Sequence, residues 1–318
     1  MDSTDAALVS VVIPCYNQAH FLSDSIESVL RQTHPRYEII IVDDGSSDHP
    51  ESIVARYPTV RFIHQNCRGA AAARNTGWRE SRGGLLVFLD GDDRLLPNAL
   101  STGYDCFRAN PDCGFVFGHG YLIGPTGEEL RPNPLPVVHE AGGYEELLER
   151  NPIAFPGVVM FRRAAFESVG GFQSVVRGWP IDNASDYDLY LRIAERFPIH
   201  SHQMTVAEWR QHGTNTSRNS LMMLRTTLAV LNGQSGAVGQ NQRYRAAQRR
   251  GLRRLRVFFG ERLIQELRVE VRSGQISWPR FGASLLALLR HYPTGVAENA
   301  LRKIKRALSR HRRHADDE

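Results

Sequence analysis

Short runs of hydrophobic residues, each closed by polar residues, recur along the first third of the chain. They occupy residues 9–13, 37–42, 60–63 and 85–89. Runs of this length that end at Gly, Pro or Asp are typical of buried strands. The segments between them fit helices at residues 22–30, 50–56 and 69–78. This alternation predicts an α/β fold, in which helices flank both faces of a mostly parallel central sheet.

Acidic residues follow directly after two of the predicted strands. One strand runs into Asp90-Gly91-Asp92-Asp93 and another runs into Asp43-Asp44. In open α/β sheets, ligands bind beyond the carboxyl ends of the strands. Carboxylates at that place attract a divalent cation, which can bridge to a diphosphate. Asp and Gly are also common in solvated turns, so the Asp-x-Asp pattern alone leaves both interpretations open.

Four motifs follow one another in this region. They are Val-Ile-Pro-x-Tyr-Asn at 12–17, Val-Asp-Asp-Gly-Ser-Ser-Asp at 42–48, Gly-x-x-x-Ala-Arg-Asn-x-Gly at 69–77 and Leu-Asp-Gly-Asp-Asp at 89–93. Their order resembles glycosyltransferase family 2, the inverting enzymes of GT-A fold. The resemblance continues at 159–172, 186–192 and 209–217, and it covers roughly residues 8–220. It implies a Rossmann-like GT-A domain.

The resemblance also implies how a nucleotide-sugar donor is held. It assigns donor contacts to Pro14, Tyr16, Asp44, Arg74 and Asp90. Tyr16 would stack on the base, Asp44 would accept the N3–H of a uracil-like ring, and Asp90 would face the ribose and the metal. Two alternatives stay open: Tyr16 as a turn aromatic that caps the sheet, and Arg74 as one half of a surface ion pair.

A divalent cation, Mn²⁺ or Mg²⁺, is the implied cofactor. By resemblance, Asp92 and His212 are its ligands, and the cation stabilises the departing diphosphate as a Lewis acid. Imidazole is an acceptable ligand for such ions, although carboxylates suit them better. The alternative for His212 is an ordinary surface-loop histidine.

The segment that begins at Ser185 resembles the part of the family that carries the general base. Ser185 stands where the family pattern has an acidic residue, which leaves Asp186 as the predicted catalytic base. A carboxylate at the head of a helix also fits N-capping, and Asp188 is the alternative base. The base would take the proton of the acceptor hydroxyl as its oxygen attacks the anomeric carbon.

Charge divides the chain into two parts. Residues 1–240 contain 20 basic and 27 acidic residues, whereas residues 241–314 contain 19 basic and 4 acidic ones, within an overall net charge of +5. A stretch rich in Gly, Gln and Asn lies between them and marks a boundary. The sequence therefore predicts a GT-A domain at 1–231, a linker at 232–242 and a basic amphipathic helical region at 243–318.

Apolar residues recur at helical spacing within the basic region. They form three groups: Leu252, Leu255, Phe259, Leu263 and Leu267; Leu285, Leu288 and Leu289; and Leu301, Ile304 and Leu308. Such helices suit docking on an anionic membrane surface, and they suit packing on the catalytic domain equally well. Nucleic acid is not a predicted partner, because no recognised binding motif accompanies the basic stripe.

Together these features predict a metal-dependent, inverting glycosyltransferase. The donor would be a UDP-linked sugar, and the acceptor a saccharide or lipid-linked hydroxyl in cell-surface polysaccharide or glycolipid synthesis. Two other functions stay open. One is a catalytically silent adaptor that binds sugar nucleotides or membrane, which the acid missing at Ser185 permits. The other is a sugar nucleotidyltransferase, although residues 14–21 lack the Gly-rich basic loop of that class.

Composition bears on location. Mean hydropathy is −0.35, the N-terminus is polar, and no apolar run approaches the roughly 20 residues needed to span a bilayer. The four cysteines form no CxxC pair, which suits a reducing compartment. The predicted location is the cytoplasm, with peripheral attachment to the inner face of the membrane if the basic helices bind lipid.

Overall fold

Strands and helices alternate through the computed structural model, which describes residues 6–130, 143–274 and 276–298. The strands are β1 Val9–Cys15, β2 Tyr37–Asp43, β3 Val60–His64, β4 Leu85–Phe88, β5 Arg94–Leu95, β6 Phe115–Ile123, β7 Val159–Arg162, β8 Val175–Val176, β9 Trp179–Pro180 and β10 Ile199–Arg210. The helices are α1 Ala19–Leu30, α2 Pro50–Val54, α3 Ala70–Glu80, α4 Ala99–Ala109, α5 Gly143–Glu149, α6 Arg163–Ser168, α7 Ser185–Ala194, α8 Ser220–Gly233, α9 Gly236–Gln240, α10 Gln242–Ser273 and α11 Trp278–His291.

One sheet holds eight of these strands, in the order β3-β2-β1-β4-β7-β6-β10-β5. Strands β1 to β4 pair in parallel, β7 runs antiparallel between β4 and β6, and β10 pairs in parallel with β6. The carboxyl ends of β1, β2, β3, β4, β6 and β10 therefore lie at one edge of the sheet. This confirms the predicted α/β fold with a mostly parallel sheet.

The core lies between the sheet and its helices. Every residue of β1 and β4 is buried, as expected for central strands covered on both faces. Leu22, Ile26 and Val29 recur at helical spacing, and all three are fully buried on the inner face of α1. Burying an aliphatic side chain of this size stabilises a fold by about 1.5–3 kcal/mol, so removing any one of them would weaken the packing of α1.

The described part of the basic C-terminal region contains helices α10 and α11, and α10 packs on earlier elements of the fold. Phe259, Leu263 and Leu267, on the apolar face predicted for α10, are buried, and α10 contacts α5, α8 and α11. At the surface, Arg250 and Arg254 pair with Glu149 of α5 at 2.7 and 3.4 Å. The packing interpretation therefore accounts for this face of α10.

Two sequence predictions are not tested by these observations. Residues 232–242, predicted as a linker, contain the end of α8 and the short helix α9, and the division into domains stays a prediction. The apolar group of Leu301, Ile304 and Leu308 lies outside the described residues. Within the described ranges, no helix has the length and apolar character needed to cross a bilayer.

Candidate active site

The acidic turn after β4 is held tightly at the carboxyl edge of the sheet. The backbone N–H of Asp93 donates to the Asp90 carbonyl at 3.0 Å. The buried Ser25 hydroxyl of α1 lies 2.7 Å from the carbonyls of both Gly91 and Asp93. A Cβ at Gly91 would stand 2.9 Å from Oε1 of Gln18 and 3.2 Å from the Pro14 carbonyl, so the turn packs closely against residues 14–18. The turn is thus a fixed platform for its carboxylates.

Asp92 and His212 meet at this platform. Nε2 of His212 lies 2.7 Å from Oδ2 of Asp92, although 120 positions separate the two residues. The Thr214 hydroxyl contacts Nδ1 of the same ring at 2.8 Å, and the Phe21 ring lies 5.1 Å from it. Burial raises the pKa of Asp92, and the charge of Asp90 raises it further, whereas the hydrogen bond from His212 lowers it. The ionised form of this carboxyl is therefore disfavoured, and a cation beside it would stabilise that form.

Arg210, two residues before His212, holds the surrounding loops. Its side chain is almost fully buried. The guanidinium donates to the Asp92 carbonyl at 2.8 Å, to the Pro125 carbonyl at 2.9 Å and to Oδ2 of Asp24 at 2.7 Å. Its backbone N–H donates to Oδ1 of Asp93 at 2.9 Å. One residue thus ties α1, the acidic turn and the loop after β6 together.

Replacing Arg210 with Met is expected to destabilise the fold by about 3 kcal/mol, because buried acceptors lose a charged donor. The matched control is Arg94→Met, since Arg94 also pairs with Asp24, at 3.8 Å, and with Glu208, at 2.7 Å, but is partly exposed. The control should cost about 1 kcal/mol or less. Denaturant unfolding of both variants measures the difference, and equal losses would contradict the role given to Arg210.

Arg74 of α3 lies between two carboxylates. Its Nη2 donates to Oδ1 of Asp90 at 2.6 Å, and its guanidinium lies 5.4 Å from the centre of the Phe172 ring. Arg74 is buried, so its ion pair with Asp90 does not lie on an exposed helix surface, as the alternative had it, and its role toward the donor stays a prediction. Burial raises the pKa of Asp186, the Arg74 charge opposes that rise, and Asp90 adds to it. The three groups therefore act on one another in a shared, partly buried space.

Asp186 and Asp188 have different surroundings in the first turn of α7. Nε of Arg192 donates to Oδ2 of Asp188 at 2.7 Å, and the other nitrogens of that guanidinium bind the carbonyls of Val169 and Gly171. Asp188 is thus committed to a structural ion pair. Asp186 accepts the backbone N–H of Tyr187 at 2.8 Å, and the charges of Arg74 and Asp90 act on it. Of the two carboxylates, Asp186 is the one whose position suits a base.

The residues predicted to hold the nucleotide line the same edge. Pro14 lies in β1, which extends to Cys15, and Tyr16 follows with 53% of its surface exposed. The Asp44 carboxylate accepts a hydrogen bond from Nε2 of Gln65 at 2.6 Å. It also accepts hydrogen bonds from two backbone N–H groups of the loop before α3. An ionised carboxylate has about four acceptor sites, so Asp44 keeps one for a ligand. The roles of these residues stay predictions.

The sequence analysis missed Asp182. Its two carboxylate oxygens accept the N–H groups of Ala70 and Ala71 at 3.1 and 3.0 Å, and thereby cap the first turn of α3. Gly69, with φ +91°, would place a Cβ 2.9 Å from this carboxylate. Asp182 therefore ties the helix that carries Arg74 to the segment that carries Asp186. The short distance to Asp186 along the chain was the only signal in the sequence.

Cys15 is not a nucleophile. Burial raises the pKa of its thiol to about 12, and the charges of Asp48 and Asp43 act in the same direction. The thiolate is the reactive form of cysteine, so this group stays protonated and inert at neutral pH.

A divalent cation fits the Asp92–His212 pair as part of a larger shell. Within the described part of the chain, no group of three or more His, Cys, Asp or Glu side chains surrounds one metal position. Nε2 of His212 and Oδ2 of Asp92 lie 2.7 Å apart in a hydrogen bond, and a cation held by both would take the place of the shared proton. Mg²⁺ is commonly held by one or two protein groups together with substrate phosphates and water, so the pair fits such an ion.

Comparison with known proteins identifies relatives of this chain. The family model for glycosyl transferase family 2 matches residues 10–170. Chondroitin synthase of Escherichia coli is 32% identical over 67% of this chain, and the match covers 30% of the synthase. The beta-1,3-glucosyltransferase WfgD of Escherichia coli, which acts on UDP-Glc and alpha-D-GlcNAc-diphosphoundecaprenol, is 35% identical over 48% of this chain and 66% of its own. The chain thus spans about a third of the length of the first relative.

Solved structures share the architecture. TarS 1-349 of S. aureus, in complex with UDP, superposes with a TM-score of 0.58 at 15% identity, covering 90% of this chain and 81% of TarS. The mannosyltransferase PcManGT of Pyrobaculum calidifontis, in complex with GDP-Man and Mn²⁺, gives 0.58 at 18% identity, covering 92% and 83%. The fold is therefore of the GT-A class. The chain belongs to glycosyltransferase family 2, as its motifs predicted.

Proposed function

We propose that this chain is an inverting glycosyltransferase that moves a sugar from a UDP-linked donor to an acceptor hydroxyl. The observation that carries the proposal is the meeting of Asp92 with His212 and of Arg74 with Asp90 at one sheet edge, next to Asp186. Donor-binding and proton-accepting groups are thus side by side, which a single displacement requires.

The chain's own residues divide the work. Asp186 takes the proton of the acceptor hydroxyl while the hydroxyl oxygen attacks the anomeric carbon of the donor. The nucleoside diphosphate leaves from the opposite face of that carbon. Arg74 holds Asp90 toward the donor and keeps a positive charge beside the reacting groups. A divalent cation held by Asp92 and His212 would supply charge neutralisation for the leaving diphosphate.

Donor and acceptor classes are proposed from the relatives. The complexes of TarS with UDP and UDP-GlcNAc and the UDP-Glc of WfgD support a UDP-linked donor. WfgD uses a diphosphoundecaprenol-linked acceptor, which supports a saccharide or lipid-linked acceptor in cell-surface polysaccharide or glycolipid synthesis. The predicted cytoplasmic location, at the inner face of the membrane, belongs to the same proposal.

Thermal stabilisation by nucleotide sugars tests the donor. A UDP-sugar with Mn²⁺ at 100 times its dissociation constant should add about 2.7 kcal/mol to stability, and chelation should reverse the gain. GDP-mannose is the control, because PcManGT binds it. Stabilisation by GDP-mannose but by no UDP-sugar would mean that the donor is GDP-linked. Release of UDP that accelerates with an acceptor separates a transferase from a silent adaptor, which releases none.

A further inference from the structure

Helix α11 has two apolar faces. Within the described part of the molecule, one of them is packed against other residues and the other is exposed. Ala287, Leu288 and the following Tyr292 are buried against residues of α10. The second face consists of Trp278, Leu285, Leu286 and Leu289, which are 71, 40, 67 and 53% exposed. Their spacing of seven, eight and eleven positions places them on one side of a helix. The exposed stripe is thus a continuous apolar surface on the described part of the molecule.

The net charge of the region that carries the stripe is positive. Residues 271–297 contain no Asp or Glu, but they include Arg272, Arg280 and Arg290. Over residues 241–298, twelve arginines face four glutamates, a net charge of +8. Some of this charge is paired, since Arg280 binds Glu266 and Glu270 at 2.8 Å each. Arg290 is exposed beside Leu286 and Leu289. A partner for this face must therefore be apolar at its centre and anionic at its rim.

We propose that α11 is a docking face for an anionic lipid bilayer and lies in the plane of the membrane interface. Fourteen residues of helix span about 21 Å, less than the hydrocarbon core of a bilayer, about 30 Å. A helix of this kind lies on the surface with its apolar side in the headgroup region. Trp278 stands at the start of the stripe, and tryptophan is enriched at membrane–water interfaces.

Two other occupants of the exposed face of α11 are disfavoured by charge: the segment 299–318 of this chain and a second copy of the chain. The segment 299–318, which follows this region, has seven basic residues against three acidic ones. A second copy of the chain would present the same basic surface. Placing like charges against each other costs free energy, whereas anionic headgroups gain about 1 kcal/mol from each nearby basic side chain. The proposal does not depend on sugar transfer, because α11 carries none of the residues proposed to take part in that reaction.

The test is binding of the full chain to phosphatidylcholine vesicles with and without phosphatidylglycerol. We expect binding to the anionic vesicles at low salt and release at high salt, because added ions screen the charges. The variant Leu286→Glu/Leu289→Glu should bind at least about 10-fold more weakly, since it loses buried apolar surface and gains repulsion. Met204→Glu, on β10 and also half exposed, is the matched control and should bind like the wild type.

Thermal melting checks that each variant is folded. We expect the double variant to fold, because the substituted leucines are exposed. Equal vesicle binding by the wild type and the double variant would overturn the proposal, as would equal binding to neutral vesicles. A dimer that the double variant converts to monomers would assign the face to a second copy instead. Binding that begins only after removal of 299–318 would assign it to that segment.

Discussion

Replacing Asp186 with Asn is expected to lower kcat by at least about 100-fold, the lower range for loss of a general base. The amide keeps the shape of the side chain but cannot take the acceptor's proton. Donor affinity should change little, because the donor contacts are assigned to other residues. Steady-state kinetics with UDP-sugar and acceptor measure both quantities.

Asp188→Asn is the matched control for that experiment. Asp188 pairs with Arg192, so its loss should lower the melting temperature and leave kcat of the folded enzyme within a few-fold of wild type. The reverse pattern, with Asp188→Asn inactive and Asp186→Asn active, would move the base by two residues.

The pH profile gives a second measure of Asp186. The base works in its deprotonated form, so kcat/KM should rise with pH through its pKa. Burial raises that pKa. The acid limb of the profile should therefore lie at higher pH than that of an ordinary Asp, whose pKa is about 4. Residual activity of Asp186→Asn should lack this limb. An unchanged limb in the variant would mean that another group produces it.

Replacing Asp92 with Ala is expected to weaken metal-dependent UDP binding by at least about 100-fold. Loss of a residue that merely orients a metal ligand costs about 10- to 100-fold, and Asp92 is proposed as the ligand itself. The fold should remain intact, because burial already disfavours the charged form of this carboxyl. Calorimetric titration of UDP with and without Mn²⁺ measures the effect.

Asp105→Ala is the control for the metal experiment, since Asp105 is an exposed carboxylate on α4. It should bind UDP and Mn²⁺ like the wild type. Unchanged affinity in Asp92→Ala would refute the metal assignment, whereas a loss that also appears without Mn²⁺ would make Asp92 a direct nucleotide contact.

The first half of the sheet was predictable from the sequence, but the second half was not. Strands β1, β2 and β4 are continuous apolar runs because both of their faces are covered. Strand β6 is interrupted by Gly118, His119 and Gly120, and β10 is largely polar. Their pairing depends on tertiary contacts, which no local pattern contains.

The same distinction applies to the site. Asp90 and Asp92 were recognisable because they stand directly after a strand, and the family resemblance added His212. Asp182 and Arg210 act on residues more than a hundred positions away; Arg210 lies in the segment 209–217 that resembles the family, but the resemblance assigns a role to neither residue. The sequence indicates which groups lie at strand ends, whereas the partners that hold them become visible only in three dimensions.

The contacts of Arg210 also limit how the enzyme could be re-engineered. Exchanging the loop after β6 with that of a relative would disturb the hydrogen bond between the Pro125 carbonyl and the guanidinium. An exchange of α1 would remove Asp24 in the same way. Loop grafts should therefore succeed when they carry the whole set of Arg210 partners, and single-loop chimeras should fail through misfolding rather than through altered specificity.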